Sequence, residues 1–193
     1  MGRDRGRIVA SLVLAALAAG AAGCGQGAAP VPGPPGAASG QKPSILLVTL
    51  DTTRADAMGP EAAGITTASF NAVAARGRLF RQAYATVPET LPSHASLMTG
   101  LYPAGHGIHE NARRLPDATP VLAERLKGAG YRTVAVVASF VLAKRFGLAR
   151  GFDVYDDHLP AGRQARVATE VTDAALAALG GTAGEPVFLW VHY

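Results

Sequence analysis

Three observations predict an α/β fold with a mostly parallel sheet. Continuous apolar runs at 45–50, 133–137 and 187–191 have the length of strands, and a strand covered on both faces shows no polar alternation. Segments with helical spacing lie between these runs, and strand alternating with helix is the pattern of a layered α/β domain. The 193 residues are 49% hydrophobic and 17% charged, which gives enough apolar surface for one sizeable core and too little charge for a disordered chain.

The N-terminal segment reads as a secretion signal. Arg3, Arg5 and Arg7 precede an apolar stretch at 8–19 that is short for a membrane span. Ala21-Ala22-Gly23-Cys24 then has the form of a bacterial lipobox, in which the Cys carries lipid. The alternative is an ordinary signal peptide cut near Ala22 or Gly23. Cys24 is the only cysteine, so no internal disulfide framework or cysteine-rich zinc site can form. The three arginines against Asp4 supply half of the formal charge of +4, so the basic balance belongs to targeting and a nucleic-acid partner is not expected. Residues 25–41, uncharged and rich in Pro, Gly and Ala, read as an extended tether.

The globular domain begins near residue 42. The first strand, 45–50, ends in Asp51, which puts a carboxylate at the strand edge where open α/β sheets build their sites. Phe70, Val73 and Ala74 share a helical face that ends at Gly77. Residues 79–85 are expected as a short strand leading into Thr90. Pro92 marks a helix start just after Thr90. A second start is expected at Thr119-Pro120, with Leu122, Leu126 and Ala129 on one face and Gly128 or Gly130 as the stop. The strand at 133–137, a helix striped by Val167, Val171, Ala175 and Ala178, and the strand at 187–191 complete the series.

The most informative segment starts at Thr90. Unpaired N–H groups and the macrodipole at a helix start attract a tetrahedral anion, and a hydroxyl placed there is aimed at it. Thr90-Leu91-Pro92-Ser93-His94, followed by Thr99-Gly100, Tyr102-Pro103 and His106-Gly107, resembles the nucleophile segment of the alkaline-phosphatase-like superfamily. That superfamily includes sulfatases, nucleotide pyrophosphatase/phosphodiesterases and phosphoglycerol transferases. Sulfatases carry Cys or Ser where Thr90 stands and Arg where His94 stands; both departures resemble the phosphodiesterase branch. Asp51-Thr52-Thr53-Arg54-Ala55-Asp56 departs similarly, because sulfatases have a second Asp where Thr52 stands. Gly130-Tyr131-Arg132-Thr133 and Gly151-Phe152-Asp153 also match the family. The Gly-Lys-Trp-His of sulfatases is replaced by Ala138-Ser139-Phe140-Val141.

The resemblance implies a three-layer α/β/α domain over roughly 44–193, the N-terminal part of a larger catalytic domain. In the family a His-Tyr strand end is followed by an Asp-Pro-His loop and a later Asp-His or Asp-Asn pair that completes the metal site. It implies Thr90 as nucleophile and metal ligand, and Asp51 as ligand of a divalent cation. Zinc or manganese suits a single carboxylate better than calcium does. Asn111 would clamp a non-bridging oxygen together with the Leu91 N–H. The plain alternatives are a turn cap for Asp51, a helix cap for Thr90 and a turn residue for Asn111. His109 and His192 are candidates to meet substrate. His94, His106, Ser93 and Ser96 are expected to be structural, the two serines facing away from the Thr90 mouth. The expected activity is metal-dependent hydrolysis of sulfate or phosphate esters, small, glycan or lipid, by a membrane-anchored, extracytoplasmic lipoprotein. A phosphoglycerol-type transferase and a non-catalytic binding module with the same fold remain open alternatives.

Overall fold

A computed structural model describes residues 42–181 and 184–193. The signal segment, Cys24 and the tether lie outside the described residues. Four parallel strands form one sheet: β1 (Ile45–Thr49), β2 (Arg132–Val137), β3 (Val154–Asp156) and β4 (Val187–His192), in the order β1-β4-β2-β3. Register pairs Thr49 and Val137 with His192 from either side, so the C-terminal ends of β1, β4 and β2 lie level.

Among the described residues five α-helices accompany the sheet: α1 (Ala68–Arg76), α2 (Thr90–Thr99), the single turn α3 (Pro103–His106), α4 (Leu122–Gly128) and α5 (Ala168–Leu179). Pro92 sits in the first turn of α2, where its missing N–H is not needed. The helix stops at Gly100, which is left-handed (φ 71°) and returns its N–H to the Ser96 carbonyl at 2.9 Å. Leu91, Ala95 and Met98 of α2 pack with Ala135, Val137, Phe188 and Trp190 on one sheet face. Val171 and Ala175 of α5 pack with Val134, Val136, Leu189 and Val191 on the other. The result is the expected three-layer α/β/α arrangement. Among the described residues no helix is long and apolar enough to cross a membrane.

Gly151 holds the β2–β3 junction against α4. Its φ is +79°, and a Cβ there would lie 2.2 Å from the Glu124 nitrogen. Beyond it, Asp153 Oδ2 accepts the Thr133 N–H at 2.9 Å and the Thr133 hydroxyl at 3.0 Å. The Lys127 ammonium beside Asp153, together with these donors, holds its carboxyl down at about 2.

Four expectations are corrected. β1 is covered on one face only: Leu46 and Val48 are 64% and 47% exposed, because α5 packs on β2 and β4 and the Phe70 and Val73 face of α1 leaves an open apolar groove beside them. Residues 79–85 form no strand; they run irregularly to α2. Helix α4 begins at Leu122, two residues late, since Val121 is extended and its N–H is taken by Glu124 Oε2 at 3.0 Å. The short strand β3 was not anticipated.

Candidate active site

The strand edge and the start of α2 meet at Asp51 and Thr90. Asp51 is separated from β1 by one residue, and its N–H is fixed by the Tyr193 carbonyl at 2.9 Å. The Thr90 Oγ1 hydroxyl reaches both Asp51 oxygens, at 3.1 Å (Oδ1) and 2.9 Å (Oδ2). Asp51 Oδ1 also accepts the Thr52 N–H at 2.9 Å. Thr52 takes φ 50°, an uncommon conformation for a β-branched residue, beside the Asp51 carboxylate that meets Thr90. An open cleft of about 510 Å³ lies over this pair, with Asp51, Thr52, Glu89, Thr90, Ser93 and His94 among its walls. Ser93 therefore shares the cleft with Thr90, against expectation, because residues three apart on a helix stand on one face. Ser96 does not line this cleft; its hydroxyl accepts from Thr86 and meets His106 Nε2, each at 2.9 Å.

Asn111 is brought to the same helix start. Its Oδ1 accepts the Leu91 N–H at 2.9 Å, and its own N–H donates to Glu89 Oε2 at 2.8 Å. The 107–111 loop is thus fastened to the first turn of α2 on both sides of Thr90. This commits the Leu91 N–H and orients the Asn111 amide, whose NH₂ keeps two donors. Sequence reasoning missed Glu89; its place as the residue before α2, where an acidic side chain meets orphan donors, was the available signal. His109 is exposed on that loop and outside the cleft wall.

Two buried histidines form the floor. His94 Nδ1 donates to the Thr90 carbonyl at 2.7 Å. His192, 1% exposed, lies behind Asp51, not on the cleft wall. Its Nδ1 accepts the Ala138 N–H at 3.3 Å and its Nε2 stands 3.7 Å from Asp51 Oδ2. The rings meet edge to face, with centroids 4.9 Å apart. Burial pushes both imidazoles below the ordinary histidine range, and for His192 the neighbouring His94 adds to this. Asp51 pulls the other way and loses, so the His192–Asp51 contact is not an ion pair. Both Nε2 atoms are buried without a hydrogen-bond partner. His106 donates to Ser96 and accepts the Ile108 N–H at 3.1 Å, holding the turn after α3.

These atoms fit a divalent cation in part. A carboxylate and a hydroxyl converge on one open cleft, which supplies hard oxygen donors of the right kind. Among the described residues no group of three or more His, Cys, Asp or Glu side chains is placed to hold a metal. Asp51 and Thr90 thus fit as part of a ligand set.

The parallel sheet between helical layers, with a hydroxyl and a carboxylate converging at its C-terminal edge, is the alkaline-phosphatase-like fold seen in the solved structures it resembles. The chain belongs to the sulfatase family: the family model matches residues 43–193. Curated relatives include the ulvan-active sulfatase of Formosa agariphila, 33% identical over 93 residues, covering 48% of this chain and 18% of that protein. The N-acetylgalactosamine-6-sulfatase of Sus scrofa is 33% identical over 135 residues, covering 58% of this chain and 25% of that protein. The chain spans about a fifth to a quarter of the length of such relatives. Among solved structures, the phosphonate monoester hydrolase of Silicibacter pomeroyi superposes with a TM-score of 0.64 at 21% identity, covering 79% of this chain and 41% of that one. A 2-O glycosaminoglycan sulfatase gives 0.62 at 23% identity, with coverages of 79% and 35%. At these identities the superpositions speak for the fold.

Proposed function

We propose that this chain is the nucleophile-bearing part of a metal-dependent hydrolase of sulfate or phosphate esters, with phosphodiesters or phosphonate esters preferred. One observation carries the reading: the Thr90 hydroxyl, first residue of α2 and open to the cleft, is hydrogen-bonded to both oxygens of Asp51. Asp51 and Thr90 would hold a divalent cation, zinc or manganese ahead of calcium because Thr52 supplies no second carboxylate. Such an ion lowers the pKa of a coordinated hydroxyl and neutralises charge on the transferred group.

Thr90 Oγ attacks phosphorus, and the proton it loses ends on the leaving alcohol, so Asp51 stays a carboxylate. The new Oγ–P bond forms as the bond to the leaving alcohol breaks, and water later cleaves the Thr90 ester. The Asn111 NH₂ stabilises a non-bridging oxygen. The Leu91 N–H contributes by holding Asn111. The preference for phosphorus follows from the side chain, since a Thr cannot be oxidised to the formylglycine aldehyde made from Cys or Ser. Cys24 carries lipid and tethers the enzyme to the outer side of a bacterial membrane, where small, glycan or lipid esters are within reach.

The test is steady-state kinetics of the intact protein on matched aryl phosphodiester and aryl sulfate substrates. Phosphodiester turnover should exceed sulfate turnover, and Thr90→Ala should lower kcat by several orders of magnitude with less effect on binding. A strong preference for the sulfate, or full activity in Thr90→Ala, sinks the proposal.

A further inference from the structure

We propose that His192 is a positioning residue for Asp51: with its ring proton on Nε2, it is the buried donor that holds the carboxylate when the Thr90 hydroxyl turns away or loses its proton. This rests on Asp51 as a cation ligand and Thr90 as the nucleophile.

Four observations converge on this role. The Ala138 N–H donates to the His192 carbonyl at 3.1 Å and also faces His192 Nδ1 at 3.3 Å, which places Nδ1 as an acceptor and leaves the ring proton to Nε2. That N–H has no hydrogen-bond partner although it is fully buried, and an orphaned buried donor needs a reason. It stands 3.7 Å from Asp51 Oδ2, and a shift of about 1 Å brings it to hydrogen-bond length. The donors on Asp51 are unevenly shared: Oδ1 accepts from Thr52 and Thr90, whereas Oδ2 has only Thr90 within bonding range. Once Thr90 is deprotonated or phosphorylated, Oδ2 loses that donor, and His192 Nε2–H is the group facing it.

The ring is well anchored for this. His192 ends β4 with β1 on one side and β2 on the other, and its imidazole packs edge-on against His94 and Trp190. A donor held on a central strand orients a ligand more firmly than one on a loop. Outer donors of this kind typically change metal affinity 10–100-fold when removed.

The experiment is a zinc titration followed by ¹H–¹⁵N NMR of the histidine rings, on wild type and three variants. In the wild type, His192 should show the Nε2–H form, with that proton moving downfield as zinc binds. His192→Phe should weaken zinc binding roughly 10–100-fold; His192→Gln, which keeps a donor, should stay close to wild type; Asp51→Asn should abolish binding. If Asp51→Asn abolishes binding while His192→Phe binds like wild type, the positioning role is wrong and the ligand reading stands. Wild-type zinc binding by Asp51→Asn, or none by the wild type, removes the ligand reading and this inference with it. Should His192→Phe not fold, the wild-type ring decides: a proton on Nδ1, or an Nε2–H signal unmoved by zinc, overturns the proposal.

Discussion

Gly151→Ala tests whether the close approach of the β2–β3 junction to α4 sets the stability of the domain. Gly151 has φ +79°, and an added Cβ would meet the Glu124 nitrogen at 2.2 Å and the Ala123 carbon and Glu124 Cα at 2.6 Å. All three are backbone atoms, so no side chain can rotate aside. Neither partner is free to move. Ala123 is fully buried and the first turn of α4 is tied by the Glu124 carboxylate, while Thr133 and Asp153 lock the opposite side. A left-handed Ala costs about 1–2 kcal/mol and a forced backbone shift a further 1–3 kcal/mol, together roughly 2–5 kcal/mol. Against a total of about 5–15 kcal/mol, with about 2–4 °C lost per kcal/mol for a domain this size, Tm should fall by roughly 5–20 °C. Gly100→Ala is the control: its φ is +71°, but nothing lies within 4 Å of the new methyl. It should show the left-handed cost alone. Scanning calorimetry of both variants checks this, and an equal Tm loss in the two would show that the contact with α4 contributes nothing.

Asn111→Ala leaves the buried Leu91 N–H without its acceptor and removes the amide donors, so kcat should drop roughly 10²-fold and Tm should fall by several degrees; an unchanged kcat would remove Asn111 from the site. His94, His106 and His192 all have pKa values lowered by burial, so the unfolded chain takes up protons first as pH falls. Their contribution is complete above about pH 6.5 and shrinks below it, so Tm measured from pH 8 to 4 should hold and then decline; a flat profile would contradict buried neutral imidazoles. Cys24→Ser should move the protein from the membrane to the soluble fraction or leave its precursor uncut; an unmodified Ala or Gly at the wild-type mature N-terminus would end the lipoprotein reading.

The layered fold was legible because β1, β2 and β4 are uninterrupted apolar runs and the helices between them carry periodic stripes. β3 was not, because Val154-Tyr155-Asp156 is a three-residue edge strand flanked by carboxylates, with no apolar run to announce it. The open face of β1 was equally invisible: Leu46 and Val48 are as apolar as residues facing a helix, and composition does not say which layer covers them. At the site, the resemblance of the Thr90 segment implied that Asp51 and Thr90 serve one centre, and their places at a strand end and a helix start agree with the meeting the structure shows. The Glu89–Asn111–Leu91 fastening and the His94–His192 floor were not legible. They depend on a loop 20 residues away and on strands that pair across more than 50 residues, and sequence spacing carries no record of either.

The left-handed turn at Thr52 bears on how such a site could change over time. Thr is poorly suited to φ 50°, at a cost on the order of 1 kcal/mol, whereas Asp and Asn visit that conformation readily. The backbone beside Asp51 is therefore already shaped for the second acid that sulfatases carry at this place. One substitution, Thr52→Asp, would relieve the turn and add a hard oxygen donor in the same stroke.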